Sequence, residues 1–381
     1  MASDSRFSFE GDWRGIEEIL GGRMAIDALA RSTGALVRRR EVRDGSQLLR
    51  LALGYAATDR SLRTTAGWSG SALDIHLSDV ALLNRLREAG DFLAALTATL
   101  LAQAAKVAPE PFEQWQGPPI RLVDGSIFAS PGRKGFQHRL HASFDPVRQI
   151  FTAFDVTSVK AGESLMRAGI EPGEIAVSDR NYAKTQVLRQ INDNGAFFVV
   201  RAGIRSARML DARTGERLTG QDILAALGQA GEAEINVTLI EAKTRKGASV
   251  LPVKARLVIL RASQAVAARE KARIERSRTK HKAAPTQETQ ALAGVVMILT
   301  NLPLKSWPIA RVALVYRLRW QIELAFKTLK STFAMRDTPA KDPKLARTWI
   351  LANLAAALLA DLLASAFERA IPPSGVPSPF Q

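Results

Sequence analysis

Six side chains could share one reaction. Near the C-terminus, YRLRWQIELAFKTLK (316–330) carries Tyr316, Arg319, Glu323 and Lys330. On a helix at about 100° per residue these four fall within an arc of roughly 60°. Two further acids follow apolar runs, Asp124 after Leu122-Val123 and Asp179 after Ile175-Ala176-Val177. Three carboxylates and no cysteine describe a site for a hard cation. Mg²⁺ is held by a few carboxylates and by substrate phosphate oxygens. Two such ions can activate an attacking oxygen and stabilise a leaving one in phosphoryl transfer. Arg319 and Lys330, beside Glu323, would then bind phosphates flanking the cut. Each residue also has an ordinary role. Arg319 and Glu323 form an i,i+4 surface pair, Asp124-Gly125 is a hairpin-turn signal, and Asp179 could cap the helix that follows.

Composition narrows the substrate. Lys and Arg number 53 against 37 Asp and Glu, a net charge of +16, which suggests a polyanionic partner such as nucleic acid. The lack of cysteine excludes disulfides, thiolate zinc sites and a Cys nucleophile, and fits a reducing cytoplasm. The four histidines form no metal-spaced set; His138 and His141 are expected in strand packing or at the DNA backbone. The start, MASDSRFSFEGDW, has no basic-then-apolar leader pattern. The longest apolar run, residues 349–367, is interrupted by Asn353 and Asp361. It predicts a buried core helix, with no membrane partner.

The elements that must position the six residues follow from periodicity. Residues 1–110 read as helical, for example 13–29 and 81–106, and the proline-rich stretch 107–119 ends them. Strands are predicted at 120–130, 138–143 and 149–159, a short helix in GESLMRAGI (162–170), then a strand (175–177), a helix and a strand (196–200). Gly195 stands where a left-handed cap belongs. This order predicts a mixed sheet with helices packed on it. Residues 203–293 read as an insertion with strands in AEINVTLIEA and LPVKARLVIL. It ends in a basic helix or arm at 269–282, with seven Lys or Arg and two Glu, which could also be a solvated face. VVMILTN (295–301) returns to strand. In the helix after Trp307-Pro308, Leu314, Leu318, Ile322, Ala325 and Leu329 form an apolar stripe to pack on the sheet, so the four polar groups should look outward. Trp307 and Trp320 could stack on an unpaired base, though core packing is the simpler expectation for both. IPPSGVPSPFQ (371–381) reads as a disordered tail.

Tyr316-x2-Arg319-x3-Glu323-x6-Lys330 resembles the Y-R-E-K signature of bacterial insertion-sequence DDE transposases of the IS-four type. VDGS around Asp124 and SDRNY around Asp179 resemble the contexts of that family's two catalytic aspartates; Asn181 stands where the family commonly has Gly. The resemblance spans about residues 75–365. It implies an α/β fold: an RNase H-like mixed sheet with a β-rich insertion, plus helical N-terminal and C-terminal regions. The implied division is a helical DNA-binding region (1–110), a catalytic domain in two parts (111–202 and 294–335), a β-rich insertion with its basic arm (203–293), and C-terminal helices and tail (336–381). It assigns Asp124, Asp179 and Glu323 to catalysis and metal, with two Mg²⁺ ions that Mn²⁺ could replace. It places Tyr316, Arg319 and Lys330 on DNA; Arg180, Trp320 and the basic arm (Arg269, Lys271, Arg273, Arg276 and Arg278) join them as expected DNA contacts. The implied activity is metal-dependent cleavage at element ends and strand transfer into target DNA, by a homodimer on double-stranded DNA in the bacterial cytoplasm. Two other readings stay open: an RNase H-like nuclease without strand transfer, and a non-catalytic DNA-binding protein derived from a transposase.

Overall fold

The computed structural model describes residues 13–58, 60–108, 115–132, 137–204, 207–241, 251–281, 290–332, 335 and 337–370; in the helix ending at 281 the side chains of 273 and 276–281 lie outside the description, as do those of 367–370. The expected C-terminal tail also lies outside the described residues. Six helices come first: α1 (Trp13–Ile19), α2 (Arg23–Ser32), α3 (Gly45–Ala56), α4 (Leu62–Leu73), α5 (Asp79–Arg87) and α6 (Gly90–Val107). Polar caps start several of them: Asp44, Ser61 and Ser78 each accept a backbone N–H from the first turn of α3, α4 and α5, satisfying donors that a helix start leaves open.

The sheet begins with β1 (Ile120–Ala129), β2 (Gln137–Asp145) and β3 (Ile150–Ser158), an antiparallel meander. β4 (Ile175–Ser178) and β5 (Phe197–Ala202) add in parallel on the other side of β1, with α7 (Thr185–Asp193) as their crossover. Gly195 ends that crossover with φ +72°, as its position predicts. The region 203–293 supplies β6 (Arg208–Asp211), α8 (Gly220–Leu227), β7 (Glu232–Ile240), β8 (Val253–Arg261) and the basic helix α9 (Gln264–His281). Its strands do not form a separate layer. β9 (Val295–Thr300) pairs with β5 on one side and β8 on the other, so the sheet runs β3-β2-β1-β4-β5-β9-β8-β7-β6.

The two faces of this sheet bury different cores because strand residues alternate. Leu122, Val177, Val199 and Ile298 face a core shared with the N-terminal and C-terminal helices. Val123, Ala176, Phe198, Val200 and Leu299 face a second core with α7 and α8. The C-terminal helices are α10 (Ile309–Leu318), α11 (Trp320–Thr332) and α12 (Pro343–Ala370). By length and composition Pro343–Ala366 could cross a membrane, yet 72% of its apolar window is buried inside the protein. It is a core helix, as its interruption by polar residues predicts. Leu351, Leu354 and Leu359 are fully or nearly fully buried, each worth about 1.5–3 kcal/mol. Asn353 is tolerated there because its amide donates to Trp349 O at 2.9 Å. Arg87 to Asp342 (2.7 Å) and Arg347 to Asp91 (2.7 Å) tie α12 to α5 and α6.

Candidate active site

β1 and β4 run parallel and in register only as far as Leu122 opposite Val177. Asp124 lies two residues beyond Leu122 and Asp179 two beyond Val177, so the two acids stand level where the strands part. Alternation puts both on the face of Leu122 and Val177, under α10 and α11. The hairpin reading of Asp124-Gly125 is wrong: β1 continues to Ala129, with Asp124 opposite Ala142 and Gly125 opposite His141. A long antiparallel partner outweighs the local turn preference. The capping reading of Asp179 holds only in part: it caps a turn ahead of α7, whose own N-cap position is Lys184. The Asp179 carboxylate accepts from Asn181 N at 2.9 Å and caps a short 3₁₀ turn, Arg180–Tyr182.

The third acid comes from above. The 316–330 stretch is not one helix, because it breaks at Arg319 between α10 and α11. The Arg319 N–H turns back to Tyr316 O at 3.1 Å, an i−3 bond that tightens the backbone locally. The polar row does not look outward either. Tyr316, Arg319, Glu323 and Lys330 are all half-buried, with buried Phe326 among them. The residues that seat the two helices are Val312, Val315, Ile322, Phe326 and Leu329, whereas Leu314 of the expected apolar stripe is 52% exposed. The row borders the sheet and borrows its shelter. Trp307 is buried as expected, but Trp320 is 59% exposed and is no core residue.

Arg319 links the acids. Its guanidinium donates to Glu323 Oε1 at 2.5 Å and lies 3.9 Å from Asp124 Oδ2. Burial pushes the Asp124 carboxyl up to about 6; the Gly125 N–H and Arg319 pull it down, and Asp179 and Glu323 push it further up. Burial also raises the Tyr316 phenol, against the pull of Arg319 and Arg201. It lowers the Lys330 ammonium, which Asp337 partly restores. Lys330 Nζ sits 4.6 Å from the centre of the Phe128 ring, a cation–π contact. Glu323, Lys327 and Lys330 border an open cleft of about 670 Å³.

Among the described residues no three His, Asp or Glu side chains already converge as a cation cage. The donor set nevertheless suits a hard cation: carboxylates only, two on parting strands and one overhead, with an arginine between two of them where a cation would neutralise the same charge. His138 and His141 are buried in β2, and His141 Nε2 meets Thr157 Oγ1 at 2.9 Å, so both pack in the sheet as expected. The basic helix approaches the site at its base, where Glu270 of α9 pairs with Arg180 at 3.9 Å. Arg269 and Lys271 are exposed; the side chains of Arg273, Arg276 and Arg278 lie outside the described residues.

Two neighbours, Arg201 and Glu163, escaped the sequence reading, and a third, Tyr182, stood in the SDRNY motif without a role of its own. Arg201 follows Val200, which pairs with Ser178, so it stands level with Asp179 and its charge reaches Tyr316. Tyr182 and Glu163 lie on the reverse of the sheet. The signal for Arg201 was an arginine closing the apolar run FFVV; Glu163 gave none, because a loop brings it in.

Residues 115–359 match the family model described as the transposase DDE domain. The chain belongs to the DDE transposase family. Over 352 residues it is 37% identical to the transposase for insertion sequence element IS421 of Escherichia coli, covering 92% of this chain and 93% of that one. It is equally similar, 37% over 351 residues at the same coverage, to a candidate transposase InsL for insertion sequence element IS186A of Escherichia coli K12. A more distant relative, the transposase for insertion sequence element IS231F of Bacillus thuringiensis, is 26% identical over 175 residues, 43% of this chain and 36% of that one. The transposase is therefore an insertion-sequence enzyme acting on DNA phosphodiester bonds, of a family that uses divalent metal ions. The matched region begins before β1 and ends within α12. It takes in both aspartates, the broken helix and the three added strands.

Proposed function

We propose that Asp124, Asp179 and Glu323 are the catalytic carboxylates of this transposase and hold its cations, two Mg²⁺ ions for which Mn²⁺ can substitute. The observation that carries this reading is the level placement of Asp124 and Asp179 on parting parallel strands, with Glu323 above and Arg319 between. When bound, the cations polarise the scissile phosphodiester and favour ionisation of the attacking oxygen. The protein's own groups do the rest. Burial of Asp124 concentrates negative charge that water does not screen, which favours a divalent ion over a monovalent one. Arg319 acts as an internal counterion before the cations arrive. It then turns to a DNA phosphate, where its planar fork binds two oxygens. Lys330 and Tyr316 hold phosphates on either side, and exposed Trp320 offers a stacking face for a base. Arg180 and the α9 arm, with Arg269, Lys271, Arg273, Arg276 and Arg278, track the duplex backbone.

Hydrolysis at the element end breaks the phosphodiester and frees a 3′ hydroxyl. That oxygen then attacks a phosphodiester of the target, joining the element and releasing a target 3′ hydroxyl. The N-terminal helices (1–110) grip the element end, and two copies act together on paired ends in the bacterial cytoplasm. The test is cleavage of a duplex bearing the ends that flank this gene. Asp124→Ala, Asp179→Ala and Glu323→Ala should each abolish cleavage and leave end binding near wild type. Wild-type cleavage by any one of them removes that residue from the site.

A further inference from the structure

The N-terminal helices carry a concentration of positive charge that nothing above uses. The loop between α2 and α3, residues 33–44, contains Arg38-Arg39-Arg40 and Arg43. Its backbone is firmly held. Ala35, Leu36 and Val42 are buried, and the Leu36 N–H donates to Ala30 O at 3.0 Å. The Asp27 carboxylate takes both Arg39 at 3.1 Å and Gly45 N at 3.2 Å. On the neighbouring helices Arg14, Arg23, Arg31 and Arg87 each meet a carboxylate. Arg38, Arg40 and Arg43 are exposed, and among the described residues their guanidiniums have no partner. The loop faces α5 across a cleft of about 620 Å³, with Arg38 and Arg40 on one wall and His76, Ser78, Asn84 and Arg85 on the other. Arg85 is half-buried and braces the loop by donating to Arg38 O at 3.4 Å. Burial and the like charge of Arg40 lower the Arg85 guanidinium from its ordinary value. Glu41 and Glu88 also line the cleft, but Glu88 is engaged by Lys344 at 2.9 Å. His76 is paired with Asp74 at 3.1 Å. The result is a rigid cleft in which positive groups face one another without enough counterions.

We propose that this cleft is a second DNA-backbone site, in which Arg38, Arg40 and Arg85 bind phosphates of the duplex away from the scissile bond. It rests on the reading that the N-terminal helices grip the element end, and it names the surface that does so. Guanidinium forks take two phosphate oxygens each. Side chains such as Ser78 and Asn84 on the facing wall bond phosphate and sugar. The loop is already ordered, so little freedom is lost when DNA binds. The cleft is also tied to the catalytic strand. Arg87 to Asp342 and Lys344 to Glu88 fix α5 to the start of α12, and the Thr338 N–H just before α12 donates to Ala129 O at the end of β1 at 2.9 Å. Phosphates held here set the register of the duplex relative to the strand that carries Asp124.

Anisotropy titrations of the full-length protein with the flanking end duplex in Ca²⁺, across a range of salt, provide the first test. The double variant Arg38→Ala/Arg40→Ala should weaken binding about tenfold or more and flatten the log–log salt slope by about 1.8, at about 0.9 per phosphate. Arg14→Ala/Arg63→Ala removes the same charge from α1 and α4 and should leave the slope unchanged. Equal effects of the two pairs overturn the proposal. So does no effect of the first pair, which leaves the cleft to an acidic protein partner. The second test separates this surface from the wider reading. The chain has no cysteine, so one introduced thiol can carry a photo-crosslinker to the same duplex. Val37→Cys, at an 81% exposed position in the loop, should crosslink strongly, and Met24→Cys, at an 88% exposed position on α2, weakly. Crosslinking from Met24→Cys alone overturns the proposal but keeps the end-binding role of the N-terminal helices. Crosslinking from neither removes that role as well.

Discussion

Asp124→Asn should make the metal-free transposase more stable at neutral pH. The Asp124 carboxyl is raised from 3.8 to about 6, chiefly by burial. A carboxyl raised on folding is stabilising in its protonated form, and that stability is lost as pH climbs from the unfolded value through the folded one. At 1.36 kcal/mol per pH unit, the ionised side chain costs the folded state about 3 kcal/mol at pH 7.5 and about 0.5 kcal/mol at pH 4. Asparagine carries no charge and removes this cost, while giving up the loose 3.9 Å contact with Arg319. A net gain of about 1–3 kcal/mol follows. With an unfolding entropy of about 0.8 kcal/mol/K for a chain of this length, the melting temperature should rise by about 1–4 °C. The assay is a thermal melt in EDTA at pH 7.5 and at pH 4, with the variant's gain confined to pH 7.5. Equal melting at pH 7.5, or the same gain at both pH values, would refute the idea that a strained, ionised Asp124 awaits a cation.

Arg319→Ala and Lys330→Ala should each weaken end-DNA affinity in Ca²⁺ about ten- to a hundredfold, the range for charge-assisted contacts; unchanged binding and cleavage in both would return the row to an ordinary salt-bridged surface. Arg319→Ala should also move the acid limb of the cleavage pH profile upward, because Arg319 holds the Asp124 carboxyl down, and a fixed limb would separate Asp124 from that titration. Trp320→Ala should alter stability by less than about 1 kcal/mol, given its exposure, but lower affinity for ends with unpaired bases; equal affinity would deny it a stacking role. Replacing Arg269, Lys271, Arg273, Arg276 and Arg278 together should flatten the log–log salt dependence of DNA binding by about 0.9 per lost phosphate contact, and an unchanged slope would make α9 a solvated face.

Much of the fold was legible because it depends on periodicity. The helices, the meander, the crossover capped at Gly195 and the basic helix follow from local pattern. The six residues proposed for the site were singled out by type and spacing. Their orientation was not legible. An ideal helix drawn through 316–330 turns Arg319 outward, and only tertiary packing reveals the break there and the row's tilt toward the sheet. Asp124-Gly125 misleads for a related reason, since a turn preference of two residues yields to eight paired positions between β1 and β2. Arg201 and Glu163 meet the site through strand register and a loop. Those are non-local facts that no single window of sequence contains.

The position of β9 governs how this chain can be shortened or shuffled. β9 joins β5 roughly a hundred residues after it in sequence, and its other side is closed by β8. Pairings that distant are costly to nucleate, while β7, β8 and β9 can zip by neighbouring contacts and then dock as one. Excising residues 203–293 would therefore do more than remove an appendage. It would leave VVMILT, an apolar strand, with a full row of unpaired backbone groups, the kind of edge that recruits a second chain and aggregates. Truncated copies of such a gene should accumulate as insoluble protein rather than as compact, defective enzymes, and β8 serves as the permanent guard of that edge.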